Sequence, residues 1–340
     1  MNMESENMQI IIFLYILFWL YLCQYKLKQS LHIIQIEGYN SDKYIDWMEN
    51  NKDKVHSKND KIYVIVLIIV SLILIVFSPK EISPAYPLIY AIISLIFLTL
   101  NYRLKQESKK PLVFTPRAKR LYGIGFALVL FDLIITLWIV SLITKNLMIN
   151  FPVWAGILTL IYYFSSYYMY GANFIAKPIE KNVNKKYYES ASKKIRNMEG
   201  GLISLGITGS YGKTSTKFIA TTIIKEKYKV LTTPDSYNTP MGLSKIINNE
   251  LTDEHEVFIA ELGATKIGDI AEVASLTNPK IGILTSIGPC HLETFKSIDN
   301  IMRTKYELVE SLPNDGVAIF NYDNDNVKKL ADKTFKEKIL

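Results

Sequence analysis

Cysteine is scarce. The 340 residues hold two, Cys23 and Cys290. They are far apart, so no disulfide framework is available, and Cys290 suits a reducing cytoplasm. Basic residues are missing from the opening MNMESEN, which carries Glu4 and Glu6 instead, and no small-residue cleavage site follows. A cleavable signal peptide is excluded on both counts. Charge is nearly absent from five long stretches, roughly 8–25, 62–79, 82–102, 121–144 and 146–176. Each is long enough to cross a bilayer, which takes about 20 apolar residues. The formal net charge is +7. Many of its lysines and arginines flank apolar runs, which is the membrane-protein pattern and not a nucleic-acid surface.

The fold class that follows is an α-helical transmembrane bundle (1–176), a basic linker (177–200) and an α/β P-loop domain with a mostly parallel sheet (201–340). The stretch 26–61 has seven lysines, at 26, 28, 43, 52, 54, 58 and 61. The stretch 103–120 has seven basic residues: Arg103, Lys105, Lys109, Lys110, Arg117, Lys119 and Arg120. The connections on the opposite side offer Lys80 and Lys145. The positive-inside rule then gives a multi-pass protein of the cell membrane with its N-terminus outside and its P-loop domain in the cytoplasm. The lipid bilayer is its first partner. Asp132 stands in the middle of the fourth crossing, and no second charge shares the crossings. It is either a functional or paired residue, or one that is protonated or bonded to a neighbouring helix hydroxyl. The run YYFSSYYMY at 162–170 reads as an interfacial aromatic belt. The lysine-rich 177–199 reads as a linker or surface helix near anionic headgroups.

From Leu202 the chain alternates. LISLGIT, KVLTT, EVFIAEL, IGILTSI and GVAIF are each followed by a helical pattern. That is the signature of βαβ units and a parallel sheet, whose ligands bind beyond the carboxyl ends of the strands. After the first strand comes Thr208-Gly209-Ser210-Tyr211-Gly212-Lys213-Thr214. Such a loop points backbone N–H groups at phosphate and adds a helix N-terminus, with Lys213 for the β/γ-phosphates and Thr214 for Mg²⁺. The common pattern G-x-x-x-x-G-K-[ST] asks for glycine at 207, where this chain has isoleucine. Glu261 ends the third strand, where it is either a Mg²⁺ ligand or a capping glutamate. His291 follows the fourth strand and is a metal ligand or a loop histidine. Lys305, in IDNIMRTKYELVE, is by pattern a solvated helix residue.

Together these residues resemble a family. Residues 203–330 are similar to the central ATP-binding domain of the Mur ligases, the ATP-dependent amide-bond-forming enzymes of peptidoglycan synthesis. Folylpolyglutamate synthases are relatives. The family's loop is T-G-[ST]-x-G-K-[ST], so Gly209 is its first glycine and Ile207 is a strand residue. The segments SYNTPMGLS, ELGATKIGDI, IGPCHLETFKSIDNIMRTKYEL and FNYDND resemble the branch that adds D-alanyl-D-alanine. The resemblance implies ATP and Mg²⁺ as cofactors. It implies nucleotide contacts from 208–215 (Ser215 included), Asn238 and Asn321, and Mg²⁺ ligation by Thr214, Glu261, His291 and a carbamylated Lys305. It implies catalysis by Lys213, His291 and Lys305 through an acyl phosphate. The substrates implied are a UDP-muramoyl-peptide-like acceptor and a D-alanyl-D-alanine-like amine. Asp323-Asn324-Asp325 departs from the family's N-x-D-D pattern near Asn321. The family's UDP-sugar-binding N-terminal domain is replaced by the apolar helices, and its C-terminal ligase domain is expected to be absent. The sequence therefore supports a membrane-anchored ligase, whole or in part. The alternative is a non-catalytic nucleotide-binding membrane subunit that docks other wall-synthesis proteins.

Overall fold

The computed structural model describes residues 3–77, 85–102, 111–143, 147–198, 200–234 and 237–340. The chain forms two compact units, Met1–Glu180 and Lys181–Leu340.

The described part of the first unit is helical: α1 (Met3–Ile36), α2 (Ser41–Asn50), α3 (Lys52–Val55), α4 (Lys58–Val76), α5 (Ala85–Tyr102), α6 (Pro116–Ile143) and the start of α7 (Leu147–Asn197). The described parts of all five expected apolar stretches fall on helices. By length and composition, Asn7–Ile36, Lys58–Val76 and Pro116–Leu142 can cross a membrane, while the apolar part of α5, Tyr86–Leu100, is shorter. Lys80, Arg103, Lys105, Lys109, Lys110 and Lys145, which entered the orientation argument, lie outside the described residues.

The 26–61 stretch is not a loop. Leu27, Leu31 and Ile34 bury one face and carry α1 on to Ile36. Asn40 caps α2, and Ser57 with Asp60 forms a capping box on α4. Lys26, counted among the loop lysines in the orientation argument, is 4% exposed. Its Nζ lies 3.5 Å from Asp60 Oδ2 and donates to Tyr163 O at 3.2 Å. A buried ammonium needs such partners, because losing water unpaired costs far more than a surface contact returns. The tyrosine run is likewise only partly a belt. Tyr162 is buried and donates to Asp60, and Tyr163 stacks on His56 with centroids 4.0 Å apart. Tyr167 and Tyr170 face outward. Asp132 accepts a bond from the hydroxyl of Tyr168 on α7, which is the neighbouring-hydroxyl reading of that acid.

The second unit holds a six-stranded, wholly parallel sheet in the order β2-β3-β1-β4-β5-β6. The strands are β1 (Ile203–Thr208), β2 (Val230–Thr232), β3 (Val257–Glu261), β4 (Ile281–Leu284), β5 (Val317–Phe320) and β6 (Lys338–Ile339). The first five are those read from the sequence. The two-residue β6 has no apolar run to announce it. The helices are α8 (Lys213–Ile224), α9 (Pro240–Glu250), α10 (Asp269–Thr277), α11 (Leu292–Phe295), α12 (Ile298–Ser311) and α13 (Asp325–Asp332). One sheet face packs Leu205, Ile207, Val257 and Ile259 against Ala220 and Ile224 of α8. The other builds the larger core with α9, α10, α12 and α13.

Residues 181–197 are helix, not linker. Ala191 and Ile195 are buried in that larger core, with Tyr188 and Met198 packed against it. The spacing 188, 191, 195, 198 is one helical stripe, and it outweighs the lysines on the outer face.

Close approach of α12 to the sheet sets its depth. A Cβ on Gly206 would lie 3.0 Å from Leu308 Cδ1, and one on Gly282 3.1 Å from Leu308 Cγ. Two neighbouring strands thus carry glycine where one leucine seats. Leu308→Ala should cost about 3 kcal/mol through the cavity it leaves. In the full chain, amide exchange in β1 and β4 should then speed up by about a hundredfold. Lys329→Ala on the outer face of α13 should change nothing. Equal protection in both variants would show that Leu308 does not hold this layer.

Candidate functional site

The site forms where β1, β3 and β4 end, on both sides of the central strand. β1 runs into the loop 209–212, and α8 starts at Lys213 with Gly212 at its cap, φ +81°. Gly209 sits at φ +153°, and a Cβ there would lie 2.0 Å from Thr285 Oγ1 and 3.0 Å from Ser286 O. Only glycine fits, because the loop after β4 closes directly over it. That loop also holds the phosphate loop in shape. Ser210 N donates to Ser286 O at 2.6 Å. Thr285 Oγ1 lies 2.7 Å from Tyr211 O and 3.2 Å from Thr208 O, its one proton serving either. Ser210 Oγ donates to Gly288 O at 3.0 Å and accepts from Gly288 N at 3.1 Å. Tyr211 Oη donates to Pro289 O at 2.6 Å. Lys213 Nζ donates to Gly209 O at 2.9 Å and Ser210 O at 3.3 Å, so its charge lies over the loop.

Glu261 closes β3 opposite Ile207 in the register and is 2% exposed. Its Oε2 accepts from Thr214 Oγ1 at 2.9 Å, and Asn238 Nδ2 is 3.4 Å from Oε1. Lys217 Nζ, fully buried, is 3.6 Å from Oε2. Thr214, Glu261 and Asn238, named from three separate stretches of sequence, therefore meet around one carboxylate. Thr208 is buried and bonds Leu262 O at 3.1 Å. Its role here is in joining β1 to the chain after β3.

Lys305 reaches the same space from α12. It is 2% exposed, and the amine titrates lower than usual, at about 8. Burial is the main cause, and the neighbouring Lys213 ammonium adds to it. The solvated-lysine reading is thus corrected. His291 lies exposed at the start of α11, at φ +49°. A cleft of about 360 Å³ joins these groups, lined among others by Gly209, Lys213, Asn238, Cys290, His291 and Lys305. Ser215 is exposed on the first turn of α8. Asn321 is exposed just past β5 and is not among the residues lining this cleft. The neighbouring Asn324 and Asn326 instead bond the backbone of Ile287.

Sequence reasoning missed Lys217 and Thr285. Lys217 lies four residues after Lys213, on one helix face with it, and that spacing was its available signal. Nothing in the sequence marked Thr285 as the residue that fills the space beside Gly209. The donor set fits a nucleotide and a hard cation. The loop is a glycine cradle that a Cβ would fill, and Thr214 and Glu261 offer paired oxygens. Among the described residues no group of three His, Cys, Asp or Glu gathers at one point. A cation here would therefore depend on few protein oxygens plus those of a phosphate.

The chain is similar to several known proteins. The family model of the Mur ligase middle domain matches residues 207–339. The UDP-N-acetylmuramoyl-tripeptide–D-alanyl-D-alanine ligase of Mycobacterium leprae is 38% identical over 135 residues, which cover 40% of this chain and 26% of that protein. The Escherichia coli protein of the same name is 34% identical over 122 residues, 36% of this chain and 27% of that one. The crystal structure of MurF ligase from Thermotoga maritima in complex with ADP aligns at 30% identity and a TM-score of 0.43, covering 46% of this chain and 36% of that one. The chain thus spans about a quarter of the length of these curated relatives. The segment 207–339, which carries the phosphate loop, the strand-end glutamate and the buried Lys305, thus matches the Mur ligase middle domain.

Proposed function

We propose that this chain is a membrane-anchored, MurF-like ligase component that uses ATP to join an amino-group substrate to a carboxylate of a peptidoglycan precursor. The observation that carries the reading is one cleft lined by Lys213, Asn238 and the buried Lys305, with the Thr214–Glu261 pair bonded behind Asn238. The relatives' names supply the substrate class: a UDP-muramoyl-tripeptide acceptor and D-alanyl-D-alanine. The apolar helices support a multi-pass anchor in the cell membrane, N-terminus outside and nucleotide site in the cytoplasm. The lipid bilayer is then a partner of the first unit, and nucleic acid is not a partner of either.

In this reading the acceptor carboxylate attacks the γ-phosphorus of ATP and ADP leaves. The amine then attacks the acyl carbon, and phosphate departs from the tetrahedral intermediate as the amide forms. Lys213 neutralises charge on the transferred phosphoryl group by turning from the loop carbonyls that it now bonds. The loop N–H groups hold the phosphates in line for attack, and that positioning supplies much of the rate. Thr214 and Glu261 would hold Mg²⁺, which when bound would offset the negative charge of the phosphates. His291 and the carbamate of Lys305 would hold a second ion. A neutral, buried amine is the form that reacts with CO₂, and the lowered titration point of Lys305 makes that form accessible near neutrality.

The deciding experiment gives the purified full chain ATP, Mg²⁺, UDP-muramoyl-tripeptide and D-alanyl-D-alanine, with and without a C-terminal Mur ligase domain supplied separately. Phosphate release that requires both substrates is expected. Nucleotide binding with no turnover in either arm would overturn the ligase reading in favour of a non-catalytic subunit. Lys213→Ala should abolish ATP binding at micromolar nucleotide, measured by titration calorimetry. At fixed dissolved ¹³CO₂, a carbamate signal should grow between pH 7 and 9. Over that span the neutral fraction of an amine titrating at about 8 rises from about one tenth to about nine tenths. The signal should be missing in Lys305→Ala. Lys305→Glu should keep more activity than Lys305→Ala, because a carboxylate partly replaces the carbamate, and equal loss would count against ligation at 305.

A further inference from the structure

A second cavity, about 570 Å³, opens beside the phosphate cleft. The two share Thr239, Pro240 and Glu272 as walls, so they are lobes of one trough. The far wall of the second lobe is the tail of α7, which presents Asn184, Lys185 and Tyr188. The floor is the first turn of α9, with Met241 and Ser244. The wall is fixed. Tyr188 Oη donates to Glu272 O at 3.1 Å, Asn248 Nδ2 donates to Tyr187 O at 2.9 Å, and Lys194 Nζ donates to Asn248 O at 3.1 Å. Ala191 and Ile195 bury the helix's inner face beneath these bonds.

The side of the phosphate loop on which this lobe opens decides what it can hold. Glu261, the oxygen partner of Thr214, ends β3, and Asn238 beside it follows β2. The end of the cleft where phosphoryl transfer is arranged therefore faces β3 and α9, the direction in which the second lobe continues. On the opposite side, toward β4 and β5, the loop is closed by Ser286, Gly288 and Pro289. An acceptor lying in the trough would bring its carboxylate to the loop from the β3 and α9 side. The first lobe alone, at about 360 Å³, is near the lower end for one small ligand, so a nucleotide and a peptide need both.

The lining has a definite chemistry. The Tyr188 ring and the Met241 thioether form an adaptable apolar surface for a peptide backbone and short side chains. Ser244 Oγ is committed to Pro240 O at 2.7 Å. Lys185 is the cation of the far wall. Its only ion pair among the described residues is with Glu189, 3.8 Å away and well exposed, a pair worth little in water and readily exchanged for a ligand anion.

We infer that this second lobe seats the body of the acceptor: an elongated, anionic peptide conjugate whose reacting carboxylate points past Thr239 and Pro240 toward Lys213, and whose distal anionic group pairs with Lys185. The inference rests on the ligase reading and adds to it the residues that choose the acceptor, drawn from a helix outside the 207–339 family match. In it, Lys185, Tyr188 and Met241 set specificity and take no part in phosphoryl transfer.

The test uses the full chain in detergent micelles, saturated with a non-hydrolysable ATP analogue, with UDP-muramoyl-tripeptide as the titrated probe and ADP affinity measured separately. Lys185→Glu should weaken the probe about tenfold, and Met241→Trp, which fills the lobe, should weaken it more. ADP affinity should stay within twofold in both, which also reports that the fold is intact. Unchanged probe affinity in both variants would overturn the subsite while leaving the ligase reading standing. Loss of ADP affinity together with the probe would also overturn it, by making the lobe part of the nucleotide site. A wild-type chain that binds ADP but not the muramoyl peptide would overturn the substrate class itself, and the subsite with it.

Discussion

The carboxylate of Glu261 is the contact on which the site turns. It is nearly out of water, and a buried charge survives only with partners. The partners come from three places: Thr214 and Lys217 from α8, and Asn238 from the segment after β2. One acid at the end of β3 thereby ties together the helix that follows the phosphate loop and the strand-end segment that opens the trough. Burial makes the arrangement demanding, because removing any one partner leaves the rest to satisfy a charge that water does not reach. The parallel sheet is what makes it possible. All its strands end on one side, so residues distant in sequence arrive at one edge.

The first unit obeys the same rule in a different setting. Its helices are largely apolar, and three described stretches are long enough to span a membrane. Within them the polar groups meet one another. Lys26 pairs with Asp60, Asp60 accepts from Tyr162, and Tyr168 donates to Asp132. Tyr63 and Ser94 bond across two helices, as do Ser71 and Tyr90. Polar residues in an apolar bundle thus fix which helix faces which, something that leucine and isoleucine alone specify weakly.

Much of this was legible in the residues, for stated reasons. The βαβ alternation located five strands because buried parallel strands are short apolar runs punctuated by turns. The phosphate loop was legible because its glycines and lysine are required by local backbone geometry. What stayed hidden depends on distant packing. Lys26 and Lys217 look like ordinary lysines, and only the approach of Asp60 and Glu261 explains their burial. The lysines of 177–199 masked the stripe of Tyr188, Ala191, Ile195 and Met198 that makes the stretch a packed helix. Lys305 matched a family position, but its burial and lowered titration point come from α12 lying deep against two glycines of the sheet. β6 has two residues and needs its neighbour β5 to exist at all.

The clamp around Gly209 has a kinetic consequence. Thr285 occupies the space that a side chain would need, and the chain from Ser286 to Pro289 bonds the loop at several points. The phosphate cradle is therefore held in shape by the protein's own bonds. A ligand arriving there spends little of its binding energy on ordering the backbone, and capture need not wait for a loop to close. The movable part is the Lys213 side chain, which exchanges two carbonyls for a phosphate by rotating about single bonds. Side-chain rotation of that kind takes nanoseconds or less, far faster than the rearrangement of a chain segment.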